Sequence, residues 1–159
     1  MKILSFDQAT KKTGYAVFLD NSLQTYGLID MSKYTVPEER FCHMCTQIAY
    51  FIKNVQPDFV VFEDVSMQSN IATAILLARL QGVIVGTCLD CKIMFDIYKP
   101  SSWRKVLCFD QGKGVKRESL KKQAKQYVFE TFGVATTEDQ SEAICIGWAH
   151  ILKERYKNG

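Results

Sequence analysis

The chain has 159 residues, 47% hydrophobic and 23% charged, with three prolines and a net charge of +3. That composition suits one folded domain with a real core and excludes a disordered or low-complexity polymer. No apolar run approaches the roughly 20 residues of a membrane-spanning helix, and the opening MKILSFDQ lacks the long apolar segment and cleavage site of a signal peptide. The expectation is a single domain over residues 1–159, cytoplasmic and away from any membrane.

Residues 2–6 (KILSF) read as a short strand ending at Asp7. A polar turn, QATKKTG, follows and is closed by Gly14; residues 15–19 (YAVFL) and 24–29 (QTYGLI) are the next two strands, the three forming an antiparallel meander. After Pro37 the apolar residues Phe41, Met44, Cys45, Ile48, Phe51 and Ile52 recur at helical spacing until about residue 54. The unbroken run 59–62 (FVVF), ending at Glu63, fits a strand buried on both faces.

Ser69 or Asn70 can cap the following helix, which is apolar on nearly every side. Such a helix is either deeply buried or packed against a second subunit. Residues 92–98 make a fifth strand, and a loop with Pro100 and Gly112-Lys113-Gly114 leads to a helix from about Arg117 to Thr131. The last helix starts near Thr137, where Thr137 and Gln140 have capping-box spacing. The order is βββ-α-β-α-β-α-α.

Two further features bear on chemistry. Cys42/Cys45 and Cys88/Cys91 form two C-x-x-C pairs, a possible zinc set, but they border apolar stripes, which favours reduced core thiols. Charge is uneven: from Lys99 to Lys125 there are nine basic residues and two acids, a local +7 against −4 for the remainder. A basic segment of this kind suits a polyanion, and on charge alone a solvated helix face explains it equally well.

The acids are placed with more purpose. Asp7 and Glu63 each end an apolar strand. If those strands run parallel, both side chains emerge at one sheet edge, where sites of open α/β sheets form. Asp139 and Glu142, three residues apart, share a face of the last helix; a bland alternative for Asp139 is favourable interaction with the helix dipole. Four carboxylates together suit hard cations such as Mg²⁺. Two ions about 3.5–4 Å apart would activate a water and stabilise a departing oxyanion in phosphodiester hydrolysis, with Mn²⁺ able to substitute and Asp7 bridging the pair. His150 falls some 16 Å along the helix from Asp139 and reads as structural. His43 reads as lacking an acidic partner, and Trp103 and Trp148 as packing residues, with Trp103 also within a basic loop that can touch DNA.

The stretches F-D-Q-A-T-x-x-T-G-Y-A, V-F-E-D-V-x-M-Q-x-N and T-E-D-Q-S-E-A-I-C-I-G, in this order, resemble the RuvC-type Holliday junction resolvases, most closely the compact versions of phages and their hosts. The resemblance implies a ribonuclease H-like α/β fold: a five-stranded mixed sheet, three antiparallel strands then two parallel, flanked by helices. It also implies a homodimer that places paired nicks in four-way DNA junctions. It carries metal binding onto Asp7, Glu63, Asp139 and Glu142, the last being a glutamate where the family commonly has aspartate. It carries DNA contact onto Arg104, Lys105, Lys113, Lys116 and Arg117, residues that position phosphate without reading sequence.

The sequence departs from the family at Ser66, where bacterial members often place an aromatic residue. Stacking on an aromatic is worth about 1–3 kcal/mol per base. Serine supplies none of this, and the neighbouring Met67 can act only as a wedge, so cutting of flaps, forks and three-way junctions is expected beside four-way junctions. Competing readings are a nuclease of the same fold acting on RNA, a nucleotide-binding fragment of the actin and sugar-kinase type, and a catalytically dead DNA-binding scaffold. The helix from about Ser69 to Gly86 is the expected dimer surface.

Overall fold

The computed structural model describes residues 1–66 and 70–158. Its elements in chain order are β1 (Lys2–Asp7), β2 (Lys12–Leu19), β3 (Ser22–Asp30), α1 (Pro37–Val55), β4 (Phe59–Glu63), α2 (Ile71–Asp90), β5 (Met94–Tyr98), α3 (Pro100–Val106), α4 (Arg117–Phe132) and α5 (Glu138–Asn158). The five strands form one sheet in the order β3-β2-β1-β4-β5. β1, β2 and β3 pair antiparallel, whereas β4 runs parallel to β1 and β5 parallel to β4. This is the ribonuclease H-like mixed sheet expected from the resemblance.

Side chains alternate across β1, as the two-residue period of a strand requires. Leu4 and Phe6 enter a core with Met44, Ile48 and Ile52 of α1 and Leu80, Ile84 and Cys88 of α2. Ile3 instead joins Phe18, Val61, Trp103, Val128 and Ile144 on the other face, where α3, α4 and α5 lie. The sheet is therefore covered on both sides, and β4 (Val60, Val61, Phe62) is fully buried.

Local signals explain most element ends. Pro37 opens α1 with Glu38 and Glu39 in its first turn, and Gln56 closes it in the left-handed region at φ 48°. Asn70 Oδ1 caps α2 by accepting from Ala72 N at 2.8 Å. α4 stops at Gly133, φ 70°. The capping box forms as predicted: Thr137 N donates to Gln140 Oε1 at 3.0 Å and Gln140 N donates to Thr137 Oγ1 at 3.3 Å.

Three expectations are corrected. Residues 100–106 form a helix, not loop; Pro100 suits its first turn, and seven residues are too few to display a periodic stripe. β2 begins at Lys12, so Gly14 is a strand residue opposite Asp7 instead of the end of a turn. Finally, α2 is by length and composition long and apolar enough to cross a membrane. Arg79 and Gln81 interrupt its apolar run in the sequence, and its packing through Leu80, Ile84 and Cys88 ties it to the sheet.

Candidate metal centre

Asp7 and Glu63 directly follow Phe6 and Phe62, which are paired in register across the parallel β1–β4 ladder. Both acids thus leave the sheet at the same edge. Period two puts them on the face shared by Ile3 and Val61, the face that α5 covers.

α5 reaches that edge because two glycines let it. A Cβ on Gly147 would sit 2.6 Å from both Ser5 Oγ and a ring carbon of Phe18. One on Gly14 would sit 2.0 Å from the backbone oxygen of Asp139. Ser5 Oγ, fully buried, donates to Ala143 O at 2.7 Å and fastens the helix there. The result brings Asp7, Asp139 and Glu142 together, with one carboxylate oxygen of each within 4.8 Å of the others.

Glu63 stands beside this trio with its Oε2 held by the indole N–H of Trp103 at 2.7 Å. Its backbone carbonyl accepts from Gln81 Nε2 at 2.8 Å and from Gln8 Nε2. Burial, then the charges of Glu142, Glu63 and Asp139, push the Asp7 carboxyl well above the usual carboxylate range. Burial also raises Glu63, against the opposing Trp103 hydrogen bond, and raises Asp139 against the opposing charge of Lys121. So much like charge in one place is costly without a cation.

The donor set is all carboxylate oxygen, which fits a hard divalent ion and not a soft one. Among the described residues this is the only trio of His, Cys, Asp or Glu side chains gathered closely enough to hold a metal. The cysteine pairs do not gather: Cys42 and Cys91 are exposed, Cys88 is buried, all are free, and burial pushes the Cys88 thiol up to about 11.

The basic segment divides into two kinds of residue. Lys105, Lys113, Lys116 and Arg117 are exposed along α3, the following loop and the start of α4. Arg104 turns inward instead: its side chain is 15% exposed, 3.6 Å from Glu142 Oε1, and its guanidinium lies 4.9 Å from the Trp103 ring centre. Lys121 pairs with Glu138 beside the site. Ser66 is exposed, and Met67 lies outside the described residues.

Trp103 is thus more than a packing residue, and nothing in the linear sequence linked it to Glu63, 40 positions away. His43 does have an acidic neighbour, Glu39, at 3.8 Å one helical turn back, a spacing that was visible in the sequence. His150 is structural as expected: it is 2% exposed and its Nδ1 lies 2.8 Å from Tyr98 Oη.

A mixed sheet of this order, with acids at the tips of two neighbouring inner strands and on the helix laid across them, defines the ribonuclease H-like class. Within it, the chain belongs to the RuvC family of crossover junction endodeoxyribonucleases, whose family model matches residues 3–150. It is similar to the crossover junction endodeoxyribonuclease RuvC of Caldicellulosiruptor saccharolyticus, with 26% identity covering 96% of this chain and 93% of that one. The RuvC of Finegoldia magna is 21% identical over 99% of this chain and 96% of its own.

Solved structures agree on the fold. Thermus thermophilus RuvC in complex with a Holliday junction substrate superposes with a TM-score of 0.77 at 14% identity, covering 98% of this chain and 96% of that one. The fowlpox virus resolvase, solved with Holliday junction DNA, gives 0.70 at 17% identity, covering 98% and 99%.

Proposed function

We propose that this chain is a divalent-metal-dependent endonuclease that resolves Holliday junctions as a homodimer in the cytoplasm. The observation that carries the reading is the gathering of Asp7, Asp139 and Glu142 within 4.8 Å at the sheet edge, with Glu63 beside them. Family membership supplies the substrate class.

Two Mg²⁺ ions, or Mn²⁺ in their place, would be held by Asp7, Glu63, Asp139 and Glu142; when bound they supply a water nucleophile and charge stabilisation for the departing oxygen. Asp7, with the other three acids all acting on it, is the natural bridge. Exposed Lys105, Lys113, Lys116 and Arg117 seat the phosphate backbone and bring the scissile bond to the acids. Met67 is proposed to wedge at the crossover. Arg104, drawn in toward Glu142, balances charge at the centre more than it reaches outward for DNA.

The dimer reading rests on α2. Ile71 is 71% exposed, Leu89 66% and Ile75 46%, and added Cβ atoms at Gly82 and Gly86 would meet open space. An exposed apolar helix face seeks a partner, and a two-fold interface there would hold two sites for symmetric cuts.

The test is a cleavage panel: a labelled four-way junction beside a flap, a linear duplex and matched RNA substrates, each with Mg²⁺ and with EDTA. Paired symmetric nicks in the junction are expected with Mg²⁺ only, together with some weaker cutting of the flap, since Ser66 offers no stacking ring to restrict the site to four-way crossovers. Equal cutting of the linear duplex, preference for RNA, or cutting in EDTA would contradict the proposal.

A further inference from the structure

The short helix α3 touches the acid cluster through two adjacent residues. Trp103 has no solvent exposure, and its only polar atom donates to Glu63 Oε2 at 2.7 Å. Its ring is wedged edge-on against Phe109 at 5.6 Å, and Phe109 in turn packs on Tyr127 of α4 at 5.7 Å. The Arg104 guanidinium lies over the same ring at 4.9 Å and faces Glu142 Oε1 at 3.6 Å. One dipeptide therefore meets carboxylates from β4 and from α5.

The chemistry of the donor matters. An indole N–H donates and never accepts, and it carries no charge. It can fix one oxygen of a carboxylate without competing as a cation for the rest of the cluster. A lysine or arginine at this point would neutralise Glu63 and oppose metal entry. Glu63 is also pinned through its backbone carbonyl by Gln8 and Gln81, so both ends of the residue are held. Partners that orient a metal's ligands this way typically contribute 10–100-fold to metal affinity or activity.

We propose that Trp103 is a positioning residue of the metal centre: its indole N–H fixes the Glu63 carboxylate in the orientation that receives a divalent cation, and the Arg104 guanidinium stacks on its ring. The proposal rests on the reading of the four acids as a metal centre. Packing alone does not account for it, because the buried N–H is directed at a carboxylate of the proposed ligand set.

Binding of Mn²⁺ to the DNA-free protein, followed by calorimetry, separates the possibilities. Trp103→Phe keeps most of the ring and loses the donor; it is expected to bind Mn²⁺ about 10–100-fold more weakly while its circular dichroism stays that of wild type. Trp148→Phe, which alters the other tryptophan, is expected to bind as wild type does. A second readout needs no Trp103 variant to fold: the indole N–H resonance of Trp103 in the wild-type protein should shift on adding Mg²⁺ and should differ in Glu63→Gln.

A folded Trp103→Phe with wild-type Mn²⁺ affinity, or an indole resonance indifferent to both Mg²⁺ and Glu63→Gln, overturns the positioning role alone. Failure of the wild-type protein to bind Mn²⁺ overturns the metal centre itself.

Discussion

Two long helices lie on opposite faces of the sheet, and the more polar of them is packed more closely. α5, 21 residues with acids at 138, 139, 142 and 154, buries Ala143, Ile144, Cys145 and Ile146 completely. α2, 20 residues and apolar on most sides, leaves Ile71, Ile75 and Leu89 exposed. The difference lies in distance of approach. Gly14 and Gly147 remove the Cβ atoms that would hold α5 off the sheet, whereas the glycines of α2 face open space. Apolar content states what a helix would gain from burial; small residues at the contact decide how near it comes. Near approach on one face builds a site, and unsatisfied apolar surface on the other asks for a partner.

Removing Asp7, the acid proposed to bridge two ions, should have the largest effect on the α5 face. Asp7→Asn is expected to lower junction cleavage by about a thousandfold or more, since metal-assisted charge stabilisation contributes several kcal/mol. Junction affinity in EDTA, read by gel shift, should hold or rise because a negative charge beside the phosphate backbone is gone. A variant that cuts as wild type does would remove the α5 face from the chemistry.

Gly14→Ala attacks the approach itself. The new methyl would overlap Asp139 O, 2.0 Å away, and must push the start of α5 outward. Overpacking of this kind costs about 1–3 kcal/mol, and a displacement near 1 Å costs about 100-fold in rate. Thermal unfolding and single-turnover cleavage measure the two. Unchanged cleavage would show that the close approach is dispensable.

On the other face, Ile75→Glu should convert the proposed dimer to monomers in light scattering while monomer stability changes by no more than about 0.5 kcal/mol, as for ordinary exposed positions. Each monomer should nick junctions singly, without paired cuts. A dimer that survives this change would place the interface elsewhere.

The smallest effect is one of pH. In the metal-free fold, burial and neighbouring acids raise the Asp7 carboxyl, so the folded state holds a proton that the unfolded chain has released. Stability must then fall as pH rises from the ordinary carboxylate range near pH 4 through the raised folded value. The melting-temperature advantage of Asp7→Asn over wild type in EDTA should grow from pH 4 to pH 7, and Mg²⁺ should shrink it. A gap independent of pH would mean that Asp7 titrates alike in both states.

Much of this organisation was legible from the chain. The runs KILSF and FVVF ending in acids located β1, β4 and their shared edge, because strand order and residue period fix where a strand-end side chain emerges. Thr137 and Gln140 announced the start of α5 through local hydrogen bonding that spacing alone encodes. What escaped depended on three-dimensional closeness. α3 has no signature in the sequence, because Pro100 suggests a break and its span is short. Trp103 looked like packing because its carboxylate partner belongs to another element. Arg104 sits in sequence among cations suited to DNA, yet its guanidinium faces Glu142. Gly14 reads as the end of a turn, yet it lies in β2 opposite Asp7, where an added Cβ would meet the backbone of α5.

The central claim, that these acids form a two-metal centre bridged by Asp7, is tested most directly by anomalous diffraction from crystals soaked in Mn²⁺. Two peaks about 3.5–4 Å apart are predicted among Asp7, Glu63, Asp139 and Glu142, with Asp7 touching both and neither present in Asp7→Asn. Mn²⁺ absent from this sheet edge, or bound there without contact to Asp7, would contradict the account.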